Sequence, residues 1–369
     1  MSTHLVPETR VLAVASHVVY GHVGNKMATL VMQSMGCDVA ALNTVHFSNH
    51  TGYRQFKGTR ATAEEIRNLY EGLCMNNLTD FDVMLSGYAP SAAAVEAVGS
   101  IGKDLKRKAA DRSGSFFWVL DPVMGDQGRL YVNDDVVPAY KNIVQYADLI
   151  LPNQFEAEVL SGIPITSLET LAKAITTLHE TYNIPHVIIT SVQLSKLLTS
   201  PENPSPDSTQ NLLTIIGSTT LSTGKPRLFR IDVPAIDCFF SGTGDMFAAL
   251  TVARLREAVF ADADENLRNR KSWVSADDVR PTELPLAKAT EMVLASIHNV
   301  LEKTIQARDA ELAATEAAAA ARAEGSEEEL KKREHLRRTK AAEIRLVRNV
   351  RFLREPTVEF KAKEWEGEY

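Results

Sequence analysis

Short apolar runs, each ending in a polar or glycine residue and followed by a helical pattern, recur along most of this chain. That alternation limits the fold more than any single motif. Val11 to Ala15 runs into Ser16 and His17, and Gly21 and Gly24 then precede an amphipathic stretch to about Gln33. Asp38 to Leu42 predicts a second strand and Ala63 to Leu73 a helix. Asp82 to Ser86 predicts a third strand with a loop at Gly87, and Phe116 to Leu120 a fourth ending at Asp121 and Pro122. Leu149 to Leu151, followed by Pro152 and Asn153, and His186 to Ile189, running into Thr190 and Ser191, continue the series. The pattern predicts an α/β fold with a largely parallel sheet covered by helices on both faces. Ligands of such sheets bind beyond the carboxyl ends of the strands. Ser16, Gly87, Asp121, Asn153 and Thr190 are therefore the first candidate site positions.

Leu212 to Gly217 and Arg227 to Val233 read as further strands, with an antiparallel edge as one arrangement, and the Pro/Ser/Asn-rich residues 200–210 as a surface loop. Gly242 to about Arg256 predicts a helix opened by glycines, residues 257–283 a polar insertion, and Pro285 the start of a helix running past Ile305. Residues 307–340 are alanine-rich and then charged, with little apolar stripe to dock on a core. Ser326 with Glu329 matches a capping box, and Glu327–Lys331, Glu328–Lys332 and Glu329–Arg333 are favourable helical pairs. This stretch is expected to be an exposed helical or partly disordered arm with no site of its own, removable without loss of fold or activity. Residues 341–369 are expected to return to the main domain.

The formal charge of −7 leaves no basic footprint, which argues against nucleic acid or an anionic membrane as principal partner. The hydrophobic share of 44% and charged share of 24% are those of ordinary globular chains, and no apolar run is long enough to span a bilayer. Met1 to Arg10 lacks the apolar core of a signal peptide, so a cytoplasmic location is expected, with nuclear entry left open. Cys37, Cys74 and Cys238 lie far apart without metal-ligand spacing and read as thiols of a reducing compartment.

Three segments carry chemistry. In Ser241-Gly242-Thr243-Gly244-Asp245, glycines allow a close backbone approach, and amides at the start of the following helix would face an anion. Asp245 could accept a proton from an attacking hydroxyl, or merely cap a tight helix entry. Asp121-Pro122-Val123-Met124-Gly125-Asp126 and Leu151 to Glu158 each follow a strand. Asp121, Asp126 and Glu156 suit magnesium bound to phosphates, directly or through water, or equally a turn and a helix cap. Phe47-Ser48-Asn49-His50-Thr51-Gly52-Tyr53 offers aromatic and hydroxyl groups to a small heteroaromatic ring. His46 and His50 read as part of a strand or loop, which does not supply helical metal-ligand geometry.

Taken in order, Ser16 to Asn25, Phe47 to Tyr53, Asp121 to Asp126, Leu151 to Glu158 and Gly242 to Asp245 resemble the segments of pyridoxal kinases in the ribokinase-like superfamily. The resemblance covers about Val11 to Gln306, as one domain within residues 1–306 interrupted near 257–283. It implies a three-layer sandwich and phosphorylation of pyridoxal, pyridoxine and pyridoxamine by ATP with Mg²⁺ and a K⁺ or Na⁺ ion, in a homodimer. By the same resemblance Asp245 is the catalytic base, and Gly242, Thr243 and Gly244 form the anion hole. Ser16, Val23, Val45, Phe47, Thr51, Tyr88 and Tyr131 contact the vitamin ring. Asp126, Asn153, Thr190 and Ser191 belong to the ATP phosphate region, and Asp121 and Glu156 serve the metal. Residues 343–356 loosely resemble the family's terminal segment, with no site residue assigned there. A hydroxymethylpyrimidine kinase and a non-catalytic vitamin or nucleotide sensor are the alternative readings.

Overall fold

A computed structural model describes residues 6–192, 212–321 and 325–365 of the chain. The loop expected at 200–210 lies outside the described residues. Strand β1 (Arg10–Val18) leads to helix α1 (Gly24–Ser34), β2 (Asp38–Phe47), a short β3 (Gly58–Arg60), α2 (Ala63–Met75), β4 (Val83–Ser86), α3 (Ala92–Lys108) and β5 (Phe117–Leu120). A small hairpin, β6 (Gly125–Asp126) and β7 (Arg129–Leu130), comes before α4 (Val136–Val144), β8 (Leu149–Ile150), α5 (Gln154–Ser161), α6 (Leu168–Tyr182) and β9 (His186–Val192). Then follow β10 (Leu212–Thr220), β11 (Pro226–Pro234), α7 (Thr243–Phe260), α8 (Pro285–Ala321), α9 (Glu327–Ala341), α10 (Arg351–Arg354) and β12 (Lys363–Glu364).

Among the described residues ten strands form one sheet in the order β12-β11-β10-β9-β8-β5-β4-β1-β2-β3. The centre, from β9 to β2, is parallel, and both margins are antiparallel. The strand period of two distributes side chains between two helical layers. Val11, Ala13, Val83, Leu85, Phe117 and Val119 pack with residues of α1, α7 and α8. Leu12, Val14, Met84, Trp118 and Leu120 face α2 to α6 on the other side. Central strands β4 and β5 are buried along their whole length, which is why they read as unbroken apolar runs. A register shift between Ala15 and Ser16 in the pairing of β1 with β2 re-aims the end of β1, where Ser16 lies.

Residues 257–283 differ from the expected polar insertion. The segment begins inside α7 and then folds back on the core, where Leu267 and Trp273 are buried and the Trp273 ring stacks on Phe117 at 4.2 Å between centroids. Two apolar anchors suffice to dock a segment whose average composition is polar. Buried Arg227 fastens it further, donating to the carbonyls of Ala276 at 2.6 Å and Ser275 at 3.1 Å.

The arm is also more engaged than its composition suggests. The capping box starts α9, with Glu329 N donating to Ser326 Oγ at 3.3 Å and Ser326 N to Glu329 Oε2 at 3.0 Å. That helix runs back along α8, and Arg337 donates to Leu312 O and Thr315 Oγ1, both at 3.1 Å. Beyond it, Ile344, Leu346 and Leu353 are buried in the main core, and β12 pairs with β11. Among the described residues no helix is long and apolar enough to cross a membrane.

Candidate active site

The loop entering α7 is built around Gly242, whose φ of 91° favours glycine and where a Cβ would collide with the carbonyl oxygen of His22. No side chain caps this helix, so its first amides are left to an incoming group. Gly244 is exposed, and a Cβ there would meet nothing within 4 Å. An anion can therefore approach the Thr243 and Gly244 backbone, with the helix dipole in its favour. Asp245 follows in the first turn and accepts a hydrogen bond from the amide of Gly24, at the start of α1. The carboxylate thus lies where two helix N-termini meet. Burial pushes it above the ordinary carboxylate range, against the opposing effect of the Gly24 amide. Gly24 in turn packs on the Ser16 carbonyl and hydroxyl, too closely to admit a side chain.

Asp121 and Glu156 complete an acidic group. Burial drives the Asp121 carboxyl well above its usual value, and the charges of Glu156 and Asp245 add to the effect. Burial likewise raises Glu156 to about 7, despite amide hydrogen bonds that favour its ionised form. Those bonds come from Met124 N at 2.9 Å and Gly125 N at 3.3 Å to Oε1, and from Asn153 N at 3.0 Å to Oε2. Asn153 itself caps α5, accepting from Glu156 N at 2.9 Å and donating to Gly125 O at 2.7 Å. Its side chain caps the helix and holds the Gly125 turn, and keeps one amide hydrogen and one oxygen lone pair beyond these bonds. Glu156 closes the same capping box, and its Oε2 keeps a lone pair beyond these bonds. Among the described residues no three His, Cys, Asp or Glu side chains form a metal-holding group.

The predicted ring contacts fall into two sets. Val23, Val45 and Phe47 form, with Val18, a small buried cluster of their own, and Tyr88 packs at its edge. Val23 also reaches Gly242, since a Cβ on that glycine would lie 3.2 Å from Val23 Cγ1, so the apolar cluster adjoins the Gly242 loop. Thr51 is exposed in the short turn Thr51–Tyr53. The neighbouring Gly52 lies against Ser241: a Cβ on it would be 3.2 Å from Ser241 Oγ and 2.8 Å from His50 Nδ1. Tyr131 is 65% exposed and follows the β6–β7 hairpin, its amide donating to Met124 O at 2.8 Å. Asp126 is half-buried in that hairpin and takes the amide of Gln127 at 2.8 Å. Thr190 and Ser191 are half-buried near the carboxyl end of β9.

Two contacting residues, His335 and Glu343, have no counterpart among the sequence assignments, and they meet the segment read as facing a ring. His50 and Tyr53 bond to Glu343, and His335 of α9 bonds to the carbonyl of Gly52 at 2.9 Å. That last contact brings the arm against the loop that carries Thr51, a packing its composition did not suggest. No local pattern marks Glu343, which is 293 positions from His50 in the chain.

The phosphomethylpyrimidine kinase family model matches residues 98–277. The chain is 35% identical over 313 residues to human pyridoxal kinase, covering 82% of this chain and 88% of that protein. It is 36% identical over 308 residues to pyridoxal kinase of Ovis aries, covering 81% and 86% respectively. The structure of pyridoxal kinase from Leishmania donovani in complex with ADP and pyridoxamine superposes with a TM-score of 0.72 at 28% identity, covering 97% of this chain and 99% of that one. The three-layer sandwich is the ribokinase-like fold, and the chain belongs to the pyridoxal kinase family.

Proposed function

We propose that this protein transfers the γ-phosphoryl group of ATP to the 5′-hydroxymethyl oxygen of pyridoxal, pyridoxine or pyridoxamine. The observation that carries this reading is Asp245, held at the meeting of two helix N-termini beside an apolar cluster that touches Gly242 through Val23. As the hydroxyl oxygen attacks phosphorus, its proton passes to Asp245, the bond to the bridging oxygen of ADP breaks, and ADP leaves with that electron pair. The amides of Thr243 and Gly244 stabilise charge on the transferring group. Val23, Val45, Phe47 and Tyr88 hold the ring in this reading, and Tyr131 closes over it.

Burial raises the proton affinity of Asp121 and Glu156, and the charges of Glu156 and Asp245 add to it at Asp121 and that of Asp126 at Glu156, which suits a divalent cation arriving with ATP. Asp121 and Glu156 would hold Mg²⁺, largely through water, and the ion would offset phosphate charge. The same reading includes activation by K⁺ or Na⁺, a homodimer, and a cytoplasmic or nuclear location. Salt-dependent assays, light scattering and cell fractionation test these in turn.

Purified protein given ATP, Mg²⁺ and pyridoxal should form the 5′-phosphate and ADP in equal amounts. No product would sink the assignment and favour a binding-only sensor. The family match at residues 98–277 favours hydroxymethylpyrimidine as a second acceptor, so both rings should be compared, with the higher kcat/KM expected for pyridoxal. Thr51→Val keeps the shape and removes the hydroxyl, and should raise KM for pyridoxal about tenfold with KM for ATP unchanged. Equal changes for both substrates would point to distortion of the loop instead.

A further inference from the structure

The C-terminal return of the chain brings one carboxylate into contact with both loops that flank the ring pocket. Glu343, just beyond α9, is buried at 9% exposure. Its Oε1 takes the His50 ring at 3.1 Å, through Nε2, and the Tyr53 hydroxyl at 2.9 Å. Its Oε2 lies over Gly21, where an added Cβ would be only 2.6 Å away. Gly21 belongs to the loop that continues to Val23 and Gly24, and hence to the pocket and to the amide that meets Asp245.

The base of this contact is firm. Arg345 N donates to Thr304 Oγ1 at 3.1 Å, the Arg345 guanidinium pairs with Glu311, and Ile344 and Leu346 are buried. The loop it holds lies near the surface, tied otherwise by His335 at the Gly52 carbonyl, by Asn49 Nδ2 donating to Gln55 O at 2.8 Å and by the pairing of β3 with β2. No residue of Thr51–Tyr53 is buried, and residues 54–60 are all exposed. Burial alone would raise the Glu343 carboxyl, but hydrogen bonds from His50 and Tyr53 outweigh it and hold the group ionised. With Nε2 directed at Glu343, the buried His50 Nδ1 has no partner among the described residues, so the Glu343 bond orients the ring.

We propose that Glu343 is a positioning residue for the acceptor: it ties His50 and Tyr53 to the Gly21 loop, so that Thr51 and the Val23–Phe47 pocket meet the ring together. This rests on the pyridoxal-phosphorylating reading. Glu343 touches no reacting atom in this arrangement, so its effect falls on acceptor binding.

The test compares the wild-type full chain with Glu343→Ala and Glu343→Gln, varying pyridoxal and ATP separately. Removing two buried bonds should raise KM for pyridoxal about tenfold or more in Glu343→Ala, with kcat and KM for ATP within about twofold. Glu343→Gln retains an oxygen acceptor of the same shape and should recover most of the loss. Hydrogen exchange without substrate should quicken in residues 48–57 of Glu343→Ala, with the central strands unchanged. An unaltered KM, equal rises for both substrates, or faster exchange throughout the sheet would overturn the proposal. A wild-type chain inactive on pyridoxal would overturn the reaction assignment instead, and the exchange comparison would still decide whether Glu343 fixes the loop.

Discussion

Asp245→Asn should lower kcat by about a hundredfold or more while the chain stays folded and binds ATP, the scale of lost general-base work. Asparagine can still accept the Gly24 amide hydrogen bond, so the junction of α1 and α7 keeps its geometry and only proton acceptance is removed. Because burial raises the carboxyl of Asp245, the ionised form costs stability at pH values above its folded value, and that cost vanishes below the ordinary carboxylate range. The variant should therefore melt no lower than the wild type near neutrality. The pH profile follows from the same sign: kcat/KM should fall as pH drops through the raised value, since the protonated base cannot accept the hydroxyl proton. Asp121 is raised in part by Asp245, so the residual activity of the variant should show its acid limb at lower pH. Near-normal turnover in Asp245→Asn would remove it from the base role.

Gly242→Ala should also lose about a hundredfold or more in kcat, by disturbing the backbone donors rather than the base. A left-handed conformation costs a non-glycine residue about 1–2 kcal/mol, and here the methyl also meets the His22 carbonyl and Val23. The least costly relief is movement of residues 22–24, which would shift the Gly24 amide away from Asp245 and open the ring pocket at Val23. Turnover should suffer far more than melting temperature, which should fall by only a few degrees. Gly244→Ala is the control: its backbone is not left-handed and its Cβ would enter open space, so the fold should be untouched. Full activity in Gly242→Ala would show that the anion loop does not depend on this turn.

The fold was legible where burial is continuous. Val83–Ser86 and Phe117–Leu120 are covered on both faces, so their strands appear as apolar runs, and Gly24 after β1 and Gly242 after β11 mark helix entries. The short strands β3, β6, β7 and β12 were not, because two or three residues carry no usable period. The charge of residues 257–283 and 307–340 likewise hid Trp273 on Phe117 and His335 on Gly52, since a docked segment needs only one or two anchors.

The site divides in the same way. Its loops follow strand ends and carry glycines where backbone must approach a ligand or another loop, and those features are local properties of the sequence. Which atoms are free for chemistry is not local. Asn153 and Glu156 have side chains suited to nucleotide and metal, and the structure also bonds them to Gly125 and Met124, some 28 to 32 positions away in the chain. Sequence by itself determined the parallel sheet, the glycine turns and the position of Asp245 at a helix start, because each follows from neighbouring residues. Only the tertiary structure decided that a carboxylate near the end of the chain, Glu343, would hold His50, because a hydrogen bond depends on distance in space and leaves no periodic trace along the chain.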